Sequence, residues 1–299
     1  MVWPLIYTQY KVVEYTLLGG MRMKKGINRW SLPADWTIRQ CMEAAKKAGF
    51  EGIELALDES GELSLETGAA EVRAIKDLAD GIGLELNSLA TGLFWQYPMT
   101  SGDPQVRAKS KSIVRKALEV AKGLGADTIL VVPGVVSAPF ASEERVFYAD
   151  AWERALEGLR ELAPEAEAAG VHIGVENVWN KFLLSPIEMR DFLDAVDSDY
   201  VGAYFDVGNV LLYGFPEDWI RVLGERIKKV HFKDFRMSVG TLGGFVNLLE
   251  GDVNWPEVMA ALREIGYDDY AYTELSPYKH YGDQLIDDIS HAMDRILGR

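Results

Sequence analysis

Cysteine and histidine, which form disulfides and many metal sites, are scarce in this chain. Its 299 residues include one cysteine, Cys41, and four histidines. A single thiol can form neither an internal disulfide nor a multi-cysteine metal site, so both are excluded. Cys41 lies in an amphipathic helical stretch, and we expect it to be a buried structural thiol. So few histidines also argue against the histidine-rich, multi-metal site of a DNA-repair nuclease.

Positive charge is also in short supply. The chain has 31 lysines and arginines against 46 aspartates and glutamates, a formal net charge of −15. Such a surface repels polyanions, so we expect neither nucleic acids nor anionic membranes as partners. A small anionic substrate stays possible, because a local basic pocket can overcome a distant field. Long apolar runs are absent too, so no membrane-spanning helix is expected.

The first 22 residues lack the pattern of a secretion signal, because Lys11 and Glu14 interrupt their apolar stretch. Met23 stands just before the first regular pattern of the chain. We therefore expect residues 1–22 to be an N-terminal extension outside the fold and residues 23–299 to form one domain. The expected location is cytoplasmic.

Helical stretches of this chain repeatedly end in glycine and lead directly into short apolar runs. Glycine adopts the left-handed conformation that closes a helix, so each case predicts a helix followed by a strand. The alternation indicates βα units, and eight of them predict a single closed (β/α)8 TIM barrel. A doubly wound open sheet fits less well, because no glycine-rich phosphate loop follows the first strand. The predicted strands span residues 25–30, 52–57, 84–89, 128–132, 171–176, 201–206, 228–233 and 270–275.

The last four predicted strands each end in a residue that can bind a metal. In such a barrel the active site lies at the carboxyl-terminal ends of the strands. Side chains alternate along a strand, so residues two positions apart share a face, and the inward face can be read from the sequence. The inward residues at these ends, called here the carboxylate–histidine cluster, are Glu176, Asp206, His231 and Glu274.

Three carboxylates this close would repel one another, and a divalent cation removes the difficulty. Three carboxylate oxygens and one imidazole nitrogen suit Mn²⁺, Mg²⁺, Co²⁺ or Zn²⁺. Taken singly, Asp206 could form a turn, His231 could be a core histidine, and Glu274 could cap the next segment. Their joint placement at neighbouring strand ends favours one metal site.

Six short motifs carry a resemblance to a known superfamily. They are "EGIEL", "VENVWN", "FDVGN", "VHFKD", "EGDVNW" and "TEL". In this order they resemble the xylose isomerase-like TIM-barrel superfamily of sugar and sugar phosphate isomerases and epimerases, over about residues 24–298. The resemblance implies one divalent metal ion, for which we expect Mn²⁺ first, bound by the carboxylate–histidine cluster. It also implies that Glu176 and Glu274 are catalytic and move the proton from opposite faces of the substrate.

The expected reaction is an isomerisation or epimerisation of a sugar or sugar phosphate. A metal would stabilise the enediolate that forms when a proton leaves the carbon beside the carbonyl. One glutamate would remove the proton, and the other would return it. The sequence departs from the ketose 3-epimerase pattern at Asn209, where those enzymes usually carry histidine, and at residues 180–183.

Further side chains near the same rim are candidates for binding the substrate. Lys233 and Arg236 could hold an oxyanion or a phosphate, with ion pairs to Asp234 and other acids as the alternative. Glu54 is expected to point inward and bind a hydroxyl. The expected hydroxyl ligands of amide type are Asn177, Asn180 and Asn209, and the expected aromatic walls are Trp30, Trp95 and Trp179.

Two other functions stay open at this point. A dehydratase of the inosose type would use the same metal site to lose a hydroxyl after proton removal. A non-catalytic sugar-binding barrel would use the pocket without chemistry. A metal-free glycosidase would leave Asp206 and His231 without a role. In each remaining case the partner is a small sugar or sugar phosphate, and a homo-oligomer is possible.

Overall fold

The computed structural model describes residues 23–141 and 143–299, which form a closed barrel of parallel strands surrounded by helices. The barrel strands follow one another in space in the order β1-β10-β7-β6-β5-β4-β3-β2. They are β1 Lys24–Asn28, β2 Gly52–Ala56, β3 Ser88–Ala90, β4 Thr128–Val131, β5 His172–Glu176, β6 Val201–Asp206, β7 Ile227–Phe232 and β10 Tyr270–Thr273. A separate two-stranded hairpin pairs β8 Asp234–Phe235 with β9 Phe245–Val246.

Eight α-helices of the described residues lie on the outside of this barrel. This arrangement confirms the predicted single (β/α)8 barrel. Within the described ranges no helix is both long and apolar enough to cross a membrane. The predicted extension, residues 1–22, lies outside the described residues, so its assignment stays a prediction. The helices are α1 Ile38–Lys47, α2 Ala69–Ile82, α3 Pro104–Leu124, α4 Tyr148–Ala169, α5 Pro186–Val196, α6 Pro216–Leu223, α7 Trp255–Glu264 and α8 Gln284–Leu297.

Glycine ends helices at the positions where the sequence predicts it. Five of these glycines have φ between +69° and +85°, the left-handed region that costs other residues a steric clash. Each turns the chain from a helix into the next strand of the barrel. The five are Gly49, Gly83, Gly125, Gly170 and Gly266.

The third strand is shorter and later than predicted. Gly52 of β2 pairs with Glu85 in an isolated bridge, and Leu55 of β2 pairs with Leu89. Between these two pairs β2 advances by three residues, whereas its partner advances by four. One extra residue therefore interrupts the ladder, as in a β-bulge, and regular pairing begins only at Ser88. The bulge explains why the apolar run at residues 84–89 is not one regular strand.

Large aromatic rings fill the barrel below its carboxyl-terminal rim. Tyr204 of β6 and Tyr272 of β10 are fully buried. A Cβ atom on Gly26 of β1 would lie 2.2 Å from the Tyr272 ring, so only glycine leaves room for that ring. The interior is therefore a packed core, and space for a ligand is confined to the rim.

The loop between β7 and α7 is held by one buried carboxylate, that of Asp234. Its oxygens accept hydrogen bonds from the backbone N–H groups of Phe235, Leu249 and Val253 at 2.9–3.2 Å. They also accept one from the indole N–H of Trp255 at 3.1 Å. Because these donors span the loop, Asp234 ties both ends of the segment that carries the β8–β9 hairpin to the barrel.

Candidate metal centre and active site

The carboxylate–histidine cluster assembles at the rim as the sequence predicts. Glu176 and Asp206 end β5 and β6, His231 lies in β7, and Glu274 directly follows β10. One ligand atom from each residue lies within 4.8 Å of all the others. Three of the side chains are buried, and Glu274 is partly exposed. Adjacent parallel strands bring their ends together, so the cluster follows directly from the strand order.

The facing atoms of the cluster are arranged around one point. His231 Nδ1 lies 3.0 Å from Glu274 Oε2, 3.5 Å from Glu176 Oε1 and 4.0 Å from Asp206 Oδ2. All four atoms are buried and make no hydrogen bond of normal geometry. Buried polar atoms almost always have a partner, and the one ammonium that contacts this group, that of Lys233, cannot compensate three carboxylates, so the four converging atoms fit a bound cation. The donor set of oxygen and imidazole nitrogen suits a divalent ion.

Glu54 lies beneath the cluster and fixes the orientation of its histidine. The side chain is fully buried, and its Oε2 lies 2.8 Å from His231 Nε2. With a cation at the shared point, Nε2–H would donate to Glu54 and the lone pair of Nδ1 would face the cation. Asn28 also donates to Oε2, while Ser88 and Tyr204 donate to Oε1. Burial alone would raise the pKa of Glu54, but the His231 ring and these hydroxyls hold that pKa below its usual value.

The sequence predicts that Glu54 binds a substrate hydroxyl. These contacts leave Glu54 no free oxygen for that role. Both carboxylate oxygens accept from protein donors, and the side chain does not line the cavity at the rim. Its position favours an indirect role, in which it holds His231. The inward parity of Glu54 can be read from the strand pattern, but its distance from His231 cannot.

Lys233 adds a positive charge to the rim of the cluster. Its Nζ lies 2.7 Å from Glu274 Oε2 and 3.3 Å from Asp206 Oδ2. Burial would lower the pKa of this ammonium, but Asp206, Glu274 and Glu176 raise it well above its usual value. The ion-pair alternative given for Lys233 is thus present, with partners in the cluster itself and not with Asp234.

The two glutamates of the cluster have opposite electrostatic environments. Burial raises the pKa of Glu176 to about 7. Burial also acts to raise the pKa of Glu274, but the ammonium of Lys233 and the imidazole of His231 hold it at about 2. For Asp206 burial dominates and raises the pKa. A divalent cation at the shared point would lower the pKa of all three carboxyls.

Two of the three candidate asparagines hold Asp206 in place. Asn177 donates from Nδ2 to the Asp206 carbonyl and accepts from the Asp206 N–H, both at 2.8 Å. The backbone N–H of Asn209 donates to Asp206 Oδ1 at 2.8 Å, which leaves Oδ2 for the cluster. Asn180 donates from Nδ2 to the Gly134 carbonyl at 2.6 Å. The asparagines therefore bond mainly to the protein, and only Asn209 among them lines the cavity.

A cavity of about 170 Å³ opens directly above Glu176 and Glu274. Lys233 and the predicted wall residue Trp30 line it, whereas Arg236 does not. Arg236 is exposed and donates from Nη2 to the Glu250 carbonyl. Other wall residues were not predicted from the sequence, among them two phenylalanines and a leucine outside the regular βα pattern. The aromatic wall residues are Trp30, Trp95, Phe140, Trp179 and Phe245, and the aliphatic ones are Leu130, Val132, Val178 and Leu242.

A closed (β/α)8 barrel with this cluster defines an α/β-barrel protein with a candidate divalent-metal centre at its carboxyl-terminal face. The family follows from the sequence match. The chain belongs to the xylose isomerase-like TIM barrel family, which it matches over residues 42–296. This confirms the resemblance carried by the six motifs.

Three individual relatives have sequence identities to this chain between 21% and 27%. The chain is 27% identical over 250 residues to the "Putative L-ribulose-5-phosphate 3-epimerase" of Haemophilus influenzae, covering 82% of this chain and 85% of the relative. It is 25% identical over 268 residues to the inosose dehydratase of Lacticaseibacillus casei, covering 81% and 87%. The crystal structure of D-psicose 3-epimerase with D-tagatose from Clostridium cellulolyticum H10 superposes with a TM-score of 0.74 at 21% identity, covering 92% and 98%. At that identity the last likeness shows the shared fold.

Proposed function

We propose that this protein is an isomerase that epimerises or isomerises a sugar with the help of one divalent metal ion. The observation that carries the proposal is the convergence of four buried ligand atoms at the rim, beside a cavity. Sugar epimerases among the relatives support the same reaction class.

The four side chains of the cluster would hold the ion, with Mn²⁺ expected first and Mg²⁺, Co²⁺ or Zn²⁺ as alternatives. The ion supplies electrophilic stabilisation of the negative charge that develops on the sugar oxygens during proton removal. Glu54 keeps Nδ1 of His231 directed at the shared point, and Asn177 and Asn209 keep Asp206 in position. The ligand geometry is thus set by buried protein contacts.

Glu176 and Glu274 are the proposed proton-transfer groups. They stand at the ends of β5 and β10, with β6 and β7 between them, so they approach the cavity from different sides. Glu176 Oε1 and Glu274 Oε2 face the shared point, which leaves Glu176 Oε2 and Glu274 Oε1 to take and return the proton. Lys233 would bind a sugar oxygen from the rim, and Trp30 would form one wall.

The test separates proton removal from product formation. Glu176→Gln and Glu274→Gln keep a coordinating oxygen but cannot accept a proton. Each should lose turnover by about 10²–10⁴-fold while retaining metal. If each glutamate serves one face, a single variant still exchanges substrate hydrogen with deuterated water but releases little product. Glu225→Gln, an exposed glutamate outside the cavity lining, is the matched control. Near wild-type conversion in either cluster variant would refute the two-base assignment.

A second candidate is an inosose-type dehydratase, which the similarity to the enzyme of Lacticaseibacillus casei favours. It would use the same proton removal and then lose a hydroxyl as water. Mass spectrometry of the product distinguishes the two reactions, because a dehydratase product is lighter by one water and an epimer has the mass of the substrate. Binding of a sugar without hydrogen exchange by the metal-loaded protein would instead indicate the non-catalytic barrel.

A further inference from the structure

The wall of the rim cavity is dominated by aromatic and aliphatic side chains. Above Glu176 and Glu274 it is formed by three tryptophans, two phenylalanines and four aliphatic residues. Aromatic faces bind the C–H surfaces of sugars and exclude water, but they offer few groups that compensate a buried negative charge. The cavity is therefore polar at its floor and largely apolar on its sides.

The described cavity wall contains one cationic side chain, Lys233. The adjoining cavity, which shares Trp30, Phe245 and Lys233, contributes no second one among the residues described. Lys233 is already paired with Glu274 and Asp206 of the cluster. A phosphate commonly needs several cationic or N–H donors around its oxygens. Here a phosphate would meet one lysine whose charge is already shared with two carboxylates of the cluster.

Three further polar groups of the wall make hydrogen bonds within the protein. The indole N–H of Trp179 donates to the Asn209 carbonyl at 2.8 Å, and Asn209 Nδ2 donates to the Asn177 carbonyl at 2.9 Å. Thr91 Oγ1 accepts from the Leu93 N–H at 3.2 Å. The single indole N–H of Trp179 and one N–H of Asn209 are therefore already used, which reduces the capacity of the wall to bind distal hydroxyls or a phosphate of the substrate.

We propose that the cavity selects an uncharged keto sugar, recognises its carbonyl end and packs its distal end against the aromatic wall. This substrate class rests on the proposed function, because the carbonyl end is placed by the cluster at the cavity floor. It predicts two preferences together. A terminal phosphate is rejected, and a missing terminal hydroxyl is tolerated.

Three matched ligands test the proposal on the Mn²⁺-loaded protein: a keto sugar, the same sugar without its terminal hydroxyl, and the same sugar with a terminal phosphate. Calorimetric Kd values and hydrogen exchange are measured for each. The phosphate should bind and react at least about 100-fold worse, because the described cavity wall offers its charge no cationic group beyond Lys233, which is already paired with the cluster. The deoxy sugar should stay within about 10-fold of its parent, because an apolar wall discriminates weakly against a missing hydroxyl.

A phosphorylated sugar that binds more tightly than its parent would overturn the proposal, as would a loss above about 100-fold for the deoxy sugar. Failure of the proposed function is seen separately. If none of the sugars exchanges hydrogen, the isomerase assignment fails, while the ranking of Kd values still decides the substrate class.

Two arginine variants place the distal end of the sugar. Leu242 lines the cavity and is 49% exposed, so Leu242→Arg should reduce the penalty against the phosphate by about 10-fold. Met237 is 50% exposed on the same loop but does not line the cavity. Met237→Arg adds the same charge and should leave the ratio between phosphate and parent unchanged. Equal shifts in both variants would contradict the placement of the distal end beside Leu242.

Discussion

Replacing Glu54 should weaken metal binding although Glu54 does not belong to the carboxylate–histidine cluster. Its Oε2 lies 2.8 Å from His231 Nε2, on the side of the ring opposite to the proposed ligand atom Nδ1. Glu54→Gln keeps an oxygen that can accept from Nε2–H but removes the negative charge. Glu54→Leu removes both the charge and the acceptor. The pair therefore separates the charge from the hydrogen bond.

The size of the effect follows from the contacts. Losing the partner of a metal-binding histidine costs about 10–100-fold in metal affinity, or about 1.4–2.7 kcal/mol. We expect Glu54→Gln near the lower value and Glu54→Leu near the upper one. Glu54→Leu also leaves donors on Asn28, Ser88 and Tyr204 without their acceptor. Each buried donor left without a partner costs about 1–3 kcal/mol, so this variant should also be less stable.

The assay is a titration of metal-stripped protein with Mn²⁺ against a competing chelator, alongside urea unfolding of the same samples. Tyr204→Phe is the control, because it removes one hydrogen bond to Glu54 without touching the hydrogen bond to His231. It should lower stability but change the Kd for Mn²⁺ less than either Glu54 variant. A folded Glu54→Leu protein with the wild-type Kd would refute the reasoning.

Two further predictions concern the barrel itself. Burial raises the pKa of the Cys41 thiol to about 11, so Cys41 should resist a thiol-reactive dye in the folded protein near neutral pH and react on unfolding in urea. Rapid labelling without urea would contradict its burial. Gly26→Ala places a Cβ 2.2 Å from the Tyr272 ring and should lower the free energy of unfolding by about 1–3 kcal/mol. An unchanged urea midpoint would show that the ring moves aside freely.

The strand ends could be predicted because their information is local. The period of two along β5, β6 and β7 places Glu176, Asp206 and His231 on the inner face, and short βα connections make these strands neighbours. Glycine marked the helix ends for an equally local reason, since only the left-handed conformation closes the turn. Strand alternation and helix-ending glycines both depend on neighbouring residues alone. The cluster can therefore be predicted without knowing any distance between side chains.

The partners of the inward residues could not be predicted in the same way. Whether Glu54 meets a sugar or His231 depends on how far β2 and β7 are staggered when the barrel closes, which no local pattern records. The wall residues Phe140 and Phe245 lie in a loop and in the β8–β9 hairpin, whose positions over the rim are set by distant contacts. Arg236 was predicted to bind substrate, but it does not line the cavity. The course of its loop places its guanidinium against the Glu250 carbonyl.

The buried carboxylate of Asp234 has a consequence for how this protein can evolve or be redesigned. Asp234 secures both ends of the loop, and residues 238–243 at the hairpin tip are exposed. Phe245, at the edge of the same hairpin, faces the ligand space. Variation in this short segment therefore reshapes one side of the pocket while the barrel and the cluster stay unaltered. A mutational library restricted to these positions, with Asp234 kept, is a compact way to change the shape of the pocket.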